Sequence, residues 1–364
     1  MKKKLSLLVC AALMMGSTPL LSMPAEAATR EEVAAIKVLS ADDFQYWNDD
    51  SPTKQEIIRF VEEATDPQSK NFIPEEDRIA TFDMDGTFYC ETAPYYFQEM
   101  MFLHRALDDK DYTPSKKVRT FAQSIKPKIY SKTALTKDEN KFLLKQLTEC
   151  YKGMTPEEYR DYVRKFMDTN ETGLSNLKRG EAFYLPMVEV ISYLSNNGFA
   201  VYIDSACGTD TTRVLAECVG DIRYDRIIAT DFNYTSTGMG KESPEQHFYD
   251  RTKEKIVING PLMDNAKTRK IFSILNHIGK RPVLAFGNSM GDSGMLEYTL
   301  QNDKYQSKAF FVLCDDTERE LGNAKKAADL KKTAESRGWN TISMRDEFKT
   351  IYGDNVKVEK QPCL

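Results

Sequence analysis

The stretch Arg78-Ile-Ala-Thr-Phe-Asp83-Met-Asp85-Gly86-Thr87 decides the fold. An apolar run stops abruptly at two carboxylates on a glycine turn. Such a run predicts a buried strand, Arg78–Phe82, that presents Asp83 at the carboxyl end of a sheet. Open α/β folds place their chemistry at that edge. A carboxylate is a competent nucleophile toward phosphorus, and a second one nearby can serve as general acid and then base. Gly86 permits the tight turn, and the Thr87 hydroxyl can reach an anionic oxygen. Read alone, the stretch also fits an Asp-rich surface turn.

Strands and helices alternate downstream of this segment. Strands are expected at Ala200–Asp204, Arg226–Thr230, Pro282–Phe286 and Ala309–Cys314, with a hairpin within 233–260 that includes Lys255–Ile258. Helices are expected at Pro186–Asn196, Thr209–Cys218 and Ala266–Ile278, and upstream from Ser51-Pro52 through Glu63. This alternation predicts a doubly wound parallel sheet. Between Phe88 and Lys178 no strand pattern occurs. Apolar residues there recur at helical spacing in Tyr95–Leu107, Lys116–Tyr130, Lys137–Tyr151 and Thr155–Met167. A block of roughly 90 residues is too long for a loop and reads as an inserted α-helical cap. The expected division is a signal peptide over 1–27, core over 28–87, cap over 88–179 and core again over 180–364.

The net charge of −5 comes without a basic stripe, which argues against nucleic-acid binding. Lys2, Lys3 and Lys4 precede the apolar run Leu5–Met15, and Ala25-Glu26-Ala27 forms an A-x-A site before Ala28. This is the pattern of a cleaved secretory signal. The mature chain is expected to be periplasmic or secreted, with no stable membrane association. Export permits disulfides among the six cysteines past Ala27, but no C-x-x-C motif occurs. None of His104, His247 and His277 pairs with another at metal-ligand spacing.

A second polar turn, Phe286-Gly287-Asn288-Ser289-Met290-Gly291-Asp292, follows the fourth expected strand. Asp292 can bind a hard cation together with Asp83, and it can equally cap the helix Ser293–Tyr298. Asp83-x-Asp85-Gly-Thr, the strand ending at Ser205, a lysine at a helix start and Gly-Asn-Ser-x-x-Asp292 occur in the order of the haloacid-dehalogenase superfamily. The chain resembles its phosphoserine-phosphatase-like class over most of residues 40–352.

The resemblance implies an aspartyl-phosphate on Asp83, with Asp85 as acid and then base. It implies phosphoryl contacts from Thr87, Ser205 and Lys267. It further implies Mg²⁺ held by Asp83, Asp85 (through its carbonyl), Asp292 and Asn288. Glu91, at the base of the cap, is a candidate contact for the leaving group. It could attract an ammonium, aided by the faces of Tyr95 and Tyr96. A cap that closes over the site favours a small phosphorylated substrate.

Asn288 stands where several class members carry an aspartate, and Met290 where a polar residue is expected. Three other readings share these residues. One is dehalogenation at carbon by Asp83, and another is a secreted binding protein without turnover. The third is a cysteine phosphatase on Cys207-x₅-Arg213.

Overall fold

The computed structural model describes residues 27–91, 96–260 and 264–359. The expected leader up to Glu26, Tyr95 and Cys363 lie outside the described residues. Among the described residues eight strands occur: β1 (Ile79–Phe82), β2 (Ala200–Gly208), β3 (Ile227–Thr230), β4 (Tyr234–Ser236), β5 (Ile256–Ile258), β6 (Leu284–Gly287), β7 (Lys308–Leu313) and β8 (Asn340–Ser343). Six of them form one sheet in the order β3-β2-β1-β6-β7-β8, and every pairing in it is parallel. β1 is therefore central, and the chain winds outward from it in both directions. The expected α/β class is the one observed. β4 and β5 form a separate antiparallel hairpin.

The helices before and within the insert are α1 (Arg30–Ala35), α2 (Pro52–Thr65), α3 (Phe97–Leu107), α4 (Lys116–Tyr130), α5 (Lys137–Glu149) and α6 (Pro156–Met167). Those after it are α7 (Leu185–Asn196), α8 (Thr209–Ala216), α9 (Thr268–His277), α10 (Ser293–Leu300), α11 (Ala324–Ser336) and α12 (Met344–Glu347). Their starts follow from the sequence. Thr136 and Thr155 each accept the backbone N–H three residues on, and Glu139 and Glu158 reach back to close the capping box. Pro156 occupies the first helical position, where a missing N–H costs nothing.

Strand residues alternate between two apolar layers, as the period of two requires. Leu284, Phe286, Phe310 and Val312 join one cluster, while Ala285, Ala309, Phe311 and Leu313 join the other with Ile274, Met295 and Trp339. Phe82, Phe286 and Phe310 are stacked across β1, β6 and β7, with ring centroids 4.2 and 4.9 Å apart. This stack braces the strand ends directly ahead of Asp83 and Gly287.

Helices α3 to α6 lie in the chain between β1 and β2, where the insert is expected. Their apolar residues, among them Met101, Ile125, Leu143 and Tyr159, belong to the same cluster as Phe82 and Phe286. The insert shares its core with one face of the sheet. It is also held by hydrogen bonds. The Gly208 N–H donates to Gln98 Oε1 at 3.0 Å, and the Tyr159 and Thr211 hydroxyls are 2.9 Å apart. Gly153 N–H donates to the Ile258 carbonyl, and Ile258 N–H to that of Met154, both at 2.9 Å. The β4–β5 hairpin is thereby tied to the insert.

Two differences from the sequence reading affect the site. β2 runs on to Gly208, with a register shift against β3 between Asp204 and Gly208. A sixth sheet strand, β8, and α11 before it were not anticipated.

Candidate active site

The ends of β1, β2 and β6 meet the insert around a cavity of about 240 Å³. Asp83, Asp85, Lys270, Asn288 and Asp292 line it from the sheet side, and Tyr96, Gln98, Glu99, Leu144 and Leu147 from the insert. Asp83 is fixed first by backbone, its N–H donating to the Phe286 carbonyl at 2.9 Å. The chain then turns at Gly86, whose φ is +82°. A Cβ there would collide with the Asn288 amide and the Glu91 carboxylate, so both backbone conformation and space require glycine.

Lys270 is the hub. Its buried ammonium donates to Asp83 Oδ1 at 2.7 Å, to Asp292 Oδ1 at 2.8 Å and to the Asp204 carbonyl. Asp292 Oδ2 accepts the N–H groups of Asn288 and Ser289 at 3.0 and 2.9 Å. Asp292 therefore organises its own loop and faces the cavity, and its side chain does not cap α10. Asp204 is fully buried below, with Asn265 donating to its Oδ1 at 2.7 Å.

Burial lowers the pKa of Lys270, but Asp292, Asp83 and Asp204 outweigh it and keep the ammonium charged. For Asp83 burial dominates, Asp292 adds to it, and Lys270 opposes both, with a net upward shift. Asp85 is pushed well up, by burial first and then by the charges of Asp83 and Glu91. Glu99 is likewise raised, by burial first and then by Asp85 and Glu91. Asp85 Oδ1 and Glu99 Oε2 are buried without a hydrogen-bond partner among the described residues.

The expected phosphate contacts need three corrections. Lys267 is exposed, with φ of +57°, ahead of the first turn of α9, and it is Lys270, one turn on, that enters the site. Ser205 is buried, but its Oγ accepts the Cys207 N–H at 3.1 Å, and Ala206 and Cys207 line the cavity in its place. The Thr87 hydroxyl is buried without a partner among the described residues and does not line the cavity. Its N–H closes the turn on the Met84 carbonyl.

Asp83, Asp85, Asn288, Asp292 and Glu91 all face the cavity. Glu91 Oε2 accepts the Asn288 side-chain amide, and its Oε1 the Tyr96 hydroxyl at 3.4 Å. Asp204, Asn265, Gln98 and Glu99 were missed. Of these only Asp204, one residue before Ser205 on an expected strand, was signalled by its position.

The cysteine-phosphatase geometry is not assembled. The Cys207 thiol is pushed well above its ordinary range, by burial first and then by Asp85. The Cys207 and Gly208 N–H groups, which would have to face a phosphate, donate to Ser205 and Gln98. Arg213 lies over Tyr224 near Asp210 and does not line the cavity.

No family model matches the chain, and no curated protein matches it. Among solved structures it is similar to a protein of unknown function from Bordetella pertussis Tohama I, at 15% identity and a TM-score of 0.46. That match covers 73% of this chain and 97% of the other. It is similar to cytosolic 5'-nucleotidase IIIB bound to cytidine, at 10% identity and a TM-score of 0.47, covering 80% and 86%. A phosphoserine phosphohydrolase-like protein from Francisella tularensis gives 15% identity and a TM-score of 0.34, covering 70% and 99%. The chain's own side chains carry the functional reading.

Proposed function

We propose that this chain is a phosphomonoesterase of the haloacid-dehalogenase type, exported and acting on a small phosphorylated metabolite. The observation that carries the reading is Asp83 held by Lys270 at the end of the central strand, facing a cavity it shares with the buried carboxyl of Asp85. An Asp83 carboxylate oxygen attacks phosphorus as the bond to the ester oxygen breaks. Asp85 gives its proton to that oxygen, and the alcohol leaves. Asp85, now a carboxylate, takes a proton from water as the water attacks the acyl phosphate. Inorganic phosphate leaves, and Asp83 is restored. The requirement is placement and charge neutralisation, since phosphoryl transfer asks little else of a protein.

The donor set suits a hard cation such as Mg²⁺. Asp83, Asp85, Asp292 and Asn288 supply oxygen ligands at one cavity wall, and one lysine does not neutralise Asp83 and Asp292 together. Asp85 would contribute its backbone carbonyl, which leaves its carboxyl to carry the proton. Among the described residues no three His, Cys, Asp or Glu side chains form a chelating group by themselves, so backbone or water oxygens would complete the set. Such an ion supplies charge that offsets the repulsion between carboxylate and phosphate.

The test is p-nitrophenyl phosphate hydrolysis with Mg²⁺ and with EDTA, for wild type, Asp83→Asn and Cys207→Ser. Activity is expected to disappear with EDTA and in Asp83→Asn and to persist in Cys207→Ser. Metal-independent activity that survives Asp83→Asn would overturn the reading.

A further inference from the structure

A second cavity, of about 360 Å³, is lined by Gly86 and shares Glu91, Tyr96 and Asn288 with the first. The two differ in charge. The first is lined by Asp83, Asp85, Glu91, Glu99, Asp264 and Asp292 against Lys270 alone. The second carries Lys132 and Lys326 against Glu91 alone. Lys132 reaches from the insert, where its ammonium donates to the Leu321 carbonyl at 3.0 Å with two N–H bonds to spare. Lys326 stands in the first turn of α11, where the helix dipole adds to its charge.

Glu91, the one acid in this wall, is committed to Asn288 and Tyr96.

A further observation points to a ligand. Tyr184 lines this cavity, is fully buried, and its hydroxyl has no hydrogen-bond partner among the described residues. A buried hydroxyl left unpaired is costly unless something bonds it. Burial, then the nearby Glu320, push its pKa well up, so it remains a phenol and offers a proton. The donors of the wall are thus a phenol and two ammonium groups. Val312, Ala327 and Leu330 supply apolar surface among them.

We propose that the second cavity binds an anionic group carried by the leaving alcohol. The substrates would then be phosphomonoesters with a second negative charge, a carboxylate or another phosphate, joined to the ester through an apolar body. This rests on the phosphatase reading above and names the class of substrate.

The experiment compares kcat/KM for phenyl phosphate, 4-carboxyphenyl phosphate and 4-(aminomethyl)phenyl phosphate, with Mg²⁺ present. The proteins are wild type, Tyr184→Phe and the double variant Lys132→Gln/Lys326→Gln. Wild type is expected to favour the carboxylated ester over phenyl phosphate by about tenfold, through KM, as two partly screened lysines allow. The double variant loses that preference and turns over phenyl phosphate as wild type does. Tyr184→Phe loses part of it. Equal rates for the three esters, a preference for the cationic one, or a preference that survives the double variant would overturn the proposal.

Titration calorimetry with 4-hydroxybenzoate and with phenol needs no turnover. If no ester is hydrolysed but 4-hydroxybenzoate binds wild type and not the double variant, the phosphatase reading falls and the anion site stands. If all esters are hydrolysed alike and 4-hydroxybenzoate does not bind, the reverse holds.

Discussion

On the sheet side of the first cavity, Lys270 spends its ammonium on three acceptors, and Asp292 accepts at both oxygens. Asp85 on the same side, and Glu99 facing it from the insert, each keep a buried oxygen with no partner among the described residues. One set of groups is complete before any ligand arrives. The other is a pair of carboxyls whose pKa burial raises well above the ordinary range, neighbouring carboxylates adding to the shift. The difference separates two tasks. The bonded set places the nucleophile, which demands fixed geometry. The unbonded pair is left to change protonation state or receive a partner during the reaction.

The largest break in this comparison should come from Lys270→Met. Removing the ammonium leaves Asp83 and Asp292 facing one another in a buried site, and losing one partner of a buried pair costs about 3–5 kcal/mol. Urea unfolding at neutral pH should show that loss, together with the loss of p-nitrophenyl phosphate turnover. A variant within about 1 kcal/mol of wild type would mean that the carboxylates are already neutral.

Gln98→Leu comes next. It removes the acceptor of the buried Gly208 N–H, at about 1–3 kcal/mol. Limited proteolysis should then cut within 97–167 before it cuts the sheet. Glu99→Gln should leave stability within about 0.5 kcal/mol in the same unfolding assay, because it breaks no bond at the Oε2 position. A large destabilisation would show Glu99 to be structural. The smallest effect belongs to Lys267→Ala, which should leave both stability and kcat/KM as in wild type, the former within about 0.5 kcal/mol.

The contrast between Lys267 and Lys270 shows what a sequence conceals. The buried strand and the paired carboxylates were legible because they are local: Ile79, Ala80 and Phe82 are apolar in a four-residue run, and Asp83 and Asp85 follow at once. The lysine was misplaced by one turn because its position depends on where α9 begins. With φ of +57°, residue 267 lies outside the helix, and the buried face is set by Lys270 and Ile274 four residues apart. That spacing was visible, but an apolar face does not announce that one of its members is a lysine at work. Ser205 failed for a different reason. Its strand continues past it to Gly208, and the hydroxyl turns back on Cys207. β8 was missed because Ile342 is its only buried residue, so neither a run nor an alternation marks it. Tyr184 had no local signal at all, since its importance lies in a bond that it does not make.

The fastening of the insert constrains how the molecule can admit and discharge a ligand. Gln98–Gly208 pins it on one side, and the β4–β5 hairpin pins it at Met154 on another. The Lys132–Leu321 contact, a single bond from an exposed side chain, is the weakest of these ties. It is the first tie to let go if the insert shifts. It also stands at the second cavity, so a ligand entering there meets the most loosely fastened edge of the insert.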